Sequence, residues 1–90
     1  MKEPAKRIKG MSALDDTAIC YWKAVHEDES KSVWILHLPG CGAGALSKHK
    51  VEEHEDGTIS VTPSILQYGH KDGQKITRHG YLTKGIWEEV

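Results

Sequence analysis

The residues most able to do chemistry sit in one short run, Pro39-Gly40-Cys41-Gly42-Ala43-Gly44. Alternating glycines let successive backbone N–H groups converge on an anion. Lys48 and Lys50 follow closely enough to neutralise phosphate charge. The run lacks the Gly-Lys-Ser/Thr of a P-loop and the full Gly-x-Gly-x-x-Gly of a dinucleotide loop, and no helix is expected after it. The expected ligand-binding set is therefore Gly40, Cys41, Gly42, Gly44 and Lys48, joined by Ser64, Arg78, His79 and Tyr81 from later in the chain. A plainer reading of the same glycines is a crowded turn in which they only relieve steric conflict.

Cys41, His37, His49 and His79 are the residues that could ligate zinc. A structural zinc needs four converging N or S ligands, usually with one close pair on a rigid turn. His37-x3-Cys41 is an imperfect pair and there is no Cys-x2-Cys, so no cofactor is expected, with zinc the one to test for. A nucleophile, Cys41 or Ser64, would need His79 within hydrogen-bond reach and a third group to orient it. A serine after proline more often satisfies a turn backbone. His79, beside Gly80, is expected either to bond a ligand or to tie down the Pro63-Ser64 turn.

The elements that position these residues read as strands. From Thr17 to Leu38 the apolar period is two, with Ile19, Tyr21 and Val25 on one face and Cys20, Trp22 and Ala24 on the other. The polar run His26–Lys31 is the expected loop of this hairpin. Pro39–Gly44 reads as loop. Asp56-Gly57 signals a type I′ turn into a strand over Thr58–Thr62, which Pro63 ends or confines to an edge. Further strands are expected over Ile65–Tyr68, Gln74–His79, Tyr81-Leu82 and Ile86-Trp87, with turns at Asp72-Gly73 and Lys84-Gly85. The fold class is all-β: a small antiparallel sandwich or partly open barrel of six or seven short strands. Residues 1–12, with Lys2, Lys6, Arg7 and Lys9, are expected to be a basic flexible arm, and residues 13–90 one β domain.

The chain has 90 residues, enough for one domain with a thin core. Its 12 Lys and Arg against 13 Asp and Glu lack the basic excess of a general nucleic-acid binder. No apolar run approaches membrane-spanning length, and Met1–Gly10 has no apolar stretch of the secretory kind. Cys20 and Cys41 are read as free thiols in a reducing cytoplasm. The three Trp and three Tyr are mostly core, with one or two free to anchor a partner. Glu27-Asp28-Glu29 and Glu52-Glu53-Glu55-Asp56 are acidic tips, solvated or turned towards a basic partner.

Three segments taken together resemble a family of small bacteriophage and prophage proteins. They are Trp34–Gly42, Thr58–Leu66, and His79-Gly80-Tyr81-Leu82 with Gly85 and Trp87. The family pattern is an aromatic strand ending in Pro-Gly, an Ile-Ser-Val-x-Pro-Ser-Ile strand and a late His-Gly hairpin; the likeness covers Val33 to Glu88. Some members carry Cys-Pro-Gly-Cys and a late Cys-His, resembling a zinc set, but Leu38 and Arg78 stand at two of those positions here. The resemblance implies phage origin, a compact β fold and the cytoplasm of an infected host. The function expected from all of this is that of a small non-enzymatic phage accessory protein that binds a host component; the alternatives are a zinc-binding or thiol-dependent enzyme, or a minor virion component. Such a protein would inhibit a host defence by sequestering a nucleotide signal or blocking a host protein, and would self-associate, most simply as a homodimer.

Overall fold

A computed structural model of the chain describes residues 2–24 and 33–90, Lys71 by its backbone only. The expected hairpin loop at His26–Lys31 lies outside the described residues. Among the described residues nine strands run in chain order: β1 (Lys2–Pro4), β2 (Lys6–Arg7), β3 (Cys20–Ala24), β4 (Val33–Leu38), β5 (Gly42–Ala45), β6 (Lys50–Glu53), β7 (Ile59–Lys71), β8 (Gln74–Thr83) and β9 (Ile86–Glu89). They form a five-stranded sheet, β1-β9-β8-β7-β6, and a four-stranded sheet, β2-β3-β4-β5. The architecture is an all-β sandwich, and the sheets do not close into a barrel. The one helical element described is a 3₁₀ turn at Met11–Ala13. No described helix is long and apolar enough to cross a membrane.

The period-two segment before and after the undescribed loop pairs as expected, from Cys20↔His37 to Ala24↔Val33. Ile19, Tyr21, Leu36, Leu38 and Leu46 come from the smaller sheet and its flanks. They meet Ile59, Val61, Ile65, Leu82 and Trp87 from the larger one, and these ten form the core. Each such burial stabilises by about 1.5–3 kcal/mol against exposure. Cys20 and Trp22 are buried on the opposite face of β3.

Four expectations need correction. The first residues are not a loose arm. Lys2–Pro4 extends the larger sheet against β9, and Lys6–Arg7 then pairs parallel with β3. Ala5 N–H donates to Gly85 O and Lys6 N–H to Ile19 O, both at 2.8 Å, so this segment staples the two sheets. Its polar side chains stay exposed, as edge strands prefer, while its backbone supplies the bonding that composition cannot report.

Gly42–Ala45 is strand rather than loop, paired with β4 from Ile35↔Ala45 to Leu38↔Gly42. Only Pro39–Cys41 turns, with Gly40 at φ +86 and Cys41 N–H donating to Leu38 O. The Asp56-Gly57 turn is not type I′, because Gly57 alone has positive φ. Asp56 instead caps it, its Oδ1 accepting from Thr58 N–H (3.0 Å) and Oγ1–H (2.6 Å). These bonds hold the Asp56 carboxyl below its ordinary pKa. Asp72-Gly73 and Lys84-Gly85 do have both φ values positive, the type I′ requirement. Finally, the segments around Pro63 are one long strand. β6 pairs with β7 only up to Thr62, and β7 shifts register against β8 between Val61 and Ile65 before running on to Lys71.

Candidate functional site

The glycines of the Pro39–Gly44 segment serve packing. A side-chain carbon on Gly69 in β7 would collide with Gly40 O and sit 2.6 Å from Cys41 Cα. One on Gly44 would sit 2.9 Å from Gln67 Nε2, and one on Gly40 3.5 Å from Ile76 Cδ1. The β7–β8 ribbon therefore lies directly against this turn. Leu46 N–H donates to Trp34 O (2.8 Å), so by ladder alternation Gly44 and Gly42 turn their backbone groups towards β4. Those groups are spent on the ladder and do not converge on an anion.

Arg78, the expected phosphate partner, is already engaged. Its Nη2 and Nε donate to Glu89 Oε1 at 2.7 and 3.2 Å, and Nη2 lies 3.5 Å from Glu3 Oε1. The guanidinium also lies 5.8 Å from the Trp87 ring centroid. Burial works against the Arg78 charge, but the two carboxylates outweigh it and raise its pKa further. Lys48 is exposed, and Tyr81 is half-exposed on the far side of β8 from Arg78.

Ser64 and His79 are brought together. His79 Nε2 and Ser64 Oγ are 2.8 Å apart, which is the expected tie to the Pro63-Ser64 turn. His49, which the sequence suggested only as a metal ligand, approaches the same turn with Nε2 3.2 Å from Ser64 O. The metal candidates do not gather. His37 Nδ1 meets Ala18 O at 3.1 Å, and Cys41 Sγ points to Gln67 O at 3.8 Å. Among the described residues no group of three or more His, Cys, Asp or Glu could hold a metal ion.

The apolar site that sequence reasoning touched only at Tyr81 is the outer face of the larger sheet. Leu66, Tyr68, Tyr81 and Ile86 are 48, 53, 49 and 39% exposed, and all lie on it. Register makes them one stripe: Leu66 faces His79, Tyr68 faces Thr77, and Tyr81 follows His79 by two on β8. Thr83 faces Ile86 on β9. Beside Ile86 a cleft of about 370 Å³ is lined by Lys2, Thr83, Lys84 and Glu88 as well. Lys75 sits 4.4 Å from the Tyr68 ring centroid at the other end. The alternation of exposed residues in β8 carried this signal, but only the pairing with β7 turns it into a surface. A second cleft, about 390 Å³, is lined by Arg7, Ile8, Lys9 and Lys23. Its Arg7 donates to Glu53 Oε2 and Gly57 O, both at 2.9 Å.

No family model matches the chain, and neither a curated protein nor a solved structure does.

Proposed function

We propose that this is a non-enzymatic binding protein that recognises another protein through the outer face of its five-stranded sheet. The observation that carries the reading is the stripe of Leu66, Tyr68, Tyr81 and Ile86 across three adjacent strands. Large apolar side chains clustered on one face, with polar groups around them, have the composition of an interface. At the cleft Lys2 pairs with Glu88 at 3.9 Å, and Lys84 there with Lys75 at the opposite end leaves this face positive, although the whole chain carries a net charge of −1. The matching partner is therefore a protein surface with an apolar centre and acidic flanks. In the phage setting implied by the family resemblance, that partner is a bacterial host protein, and blocking a defence component is the use.

Sequestration of a nucleotide is the weaker reading, because Arg78 is neutralised by Glu89 and Glu3 and the glycine segment is packed. The test is a pull-down from bacterial lysate with the wild type, Leu66→Asp and Tyr81→Asp, read by mass spectrometry. A protein with an acidic surface should be retained by the wild type, released by salt, and lost with both variants. Equal retention by folded variants would overturn the proposal. So would a nucleotide that raises the melting temperature strongly, since ligand at about 100 times its Kd adds about 2.7 kcal/mol.

A further inference from the structure

Among the described residues the two sheets have four edge strands, β1 and β6 in the larger and β2 and β5 in the smaller. Three of them carry the features by which proteins prevent edge-to-edge pairing. β1 is Lys-Glu-Pro, β6 is Lys-Val-Glu-Glu, and β2 is only Lys-Arg. β5 is Gly-Ala-Gly-Ala, with no charge and no proline, and Gly42, Ala43 and Ala45 are exposed. Among the described residues no strand pairs with its outer side.

The direction of the free groups follows from the ladder. Leu46 N–H donates to Trp34 O, so the even-numbered residues of β5 face β4. The N–H and C=O of Ala43 and Ala45 are thus directed away from the sheet. We infer that β5 is a self-pairing edge: two copies join antiparallel through Ala43 and Ala45 across a two-fold axis, making one continuous eight-stranded sheet. This inference is independent of the outer-face reading above.

A second copy fits this edge better than a foreign peptide. Strand addition takes affinity from main-chain bonds and specificity from side-chain pockets, and Gly-Ala-Gly-Ala offers no pockets. The repeat is self-complementary, since in an antiparallel arrangement small residues always oppose small residues. Lys48, the first charge after β5, lies at opposite ends of the paired strands in the two copies, so the charges do not meet. A two-fold axis also closes the assembly at two copies, because β5 is the one such edge among the described residues of each chain.

Sedimentation velocity across a micromolar concentration series should show a dimer of the wild type. Ala43→Pro and Ala45→Pro each remove an outward N–H without touching the bonds to β4, and each should weaken the dimer by about tenfold or more. Circular dichroism checks that they fold. Amide exchange on the wild type needs no variant: Ala43 and Ala45 N–H should become protected as concentration rises. A wild type that stays monomeric would overturn the inference. So would folded variants that dimerise as tightly, or a dimer whose Ala43 and Ala45 amides exchange independently of concentration.

Discussion

Glu89→Ala tests the polar cluster that closes one side of the sandwich. Glu89 Oε1 accepts from Arg78 Nη2 (2.7 Å), Arg78 Nε (3.2 Å) and the Trp87 indole N–H (2.8 Å). Removing it leaves the buried Trp87 donor unpartnered and Arg78 with Glu3 alone, at 3.5 Å. Breaking a fully buried pair costs about 3–5 kcal/mol. Here the side chains retain 16 and 28% exposure, so water recovers part of that. About 2 kcal/mol is expected, in line with a hydrogen bond to a charged group. For a domain of this size that corresponds to a fall in Tm of about 8–16 °C.

Acid adds a second readout. Burial pushes the Glu89 carboxyl up, but the bonds from Arg78 and Trp87 outweigh it, so its folded pKa lies below the ordinary value of 4.5. A depressed carboxylate contributes stability that is fully present above its unfolded pKa and is lost as pH falls through the folded one. The gap between wild type and Glu89→Ala should therefore hold steady from neutral pH down to the ordinary value of 4.5 and narrow as pH falls from there through the lower folded pKa. Thermal melts at a series of pH values measure this. A gap under about 0.5 kcal/mol at neutral pH, no more than an ordinary surface substitution, or one that persists undiminished in acid, would refute the reasoning.

Two glycine substitutions should fail for different reasons. Gly69→Ala meets the backbone of Gly40 and Cys41 and must push the β7–β8 ribbon off the turn, costing about 1–3 kcal/mol as overpacking does. Gly73→Ala meets nothing within 4 Å but holds φ at +79, so its cost is the left-handed strain of about 1–2 kcal/mol. Urea denaturation measures both; a Gly73→Ala more damaging than Gly69→Ala would contradict the ribbon packing. His79→Ala removes the tie to Ser64, but His79 is exposed and water can replace it, so the loss should be about 0.5–1.5 kcal/mol. A larger loss by the same measurement would mean that His79 supports more than this turn.

The strands were legible where alternation was strong and invisible where the backbone alone bonds. Ile19 to Trp22 and Val33 to Leu38 showed their period, and the hairpin strands followed. Lys2–Arg7 carries charge with no apolar face, so nothing in its side chains announced the ladders that it joins. Gly42–Ala45 was hidden by composition, because glycine is poor in isolated strands and tolerable where β4 supplies the template. The single strand through Pro63 was read as two because its ladders with β6 and β8 meet at a shift that a local pattern does not carry. For the site, the Ser64–His79 tie was anticipated from residue types. The gathering of Arg78 with Glu3 and Glu89 was not, since Glu3 comes from β1 at the other end of the chain, and the Arg78–Glu89 contact depends on how β9 lies beside β8. Reading Arg78 as a free cation therefore placed a ligand where an ion-pair cluster stands.

Cys41 decides between a binding protein and a thiol enzyme. Its side chain packs against the core, and burial is the leading influence on the thiol. The Arg78 charge and a hydrogen bond from the Arg78 backbone pull the other way, but burial prevails and the pKa is raised from 9.0. A catalytic thiol needs the opposite shift, because the thiolate is the nucleophile. Sγ also points to Gln67 O, which favours the protonated form, and the His79–Ser64 bond is made without it. In the native protein at pH 8, Cys41 should react with a disulfide reagent well below the rate of a free exposed thiol. Cys20, buried on the far face of β3, should react more slowly still. Unfolding in urea should release both at the free-thiol rate. Cys41→Ser provides the assignment, removing the faster native phase. Native Cys41 reacting as fast as the unfolded chain would show a thiolate that this packing does not allow, and would favour the thiol-enzyme alternative.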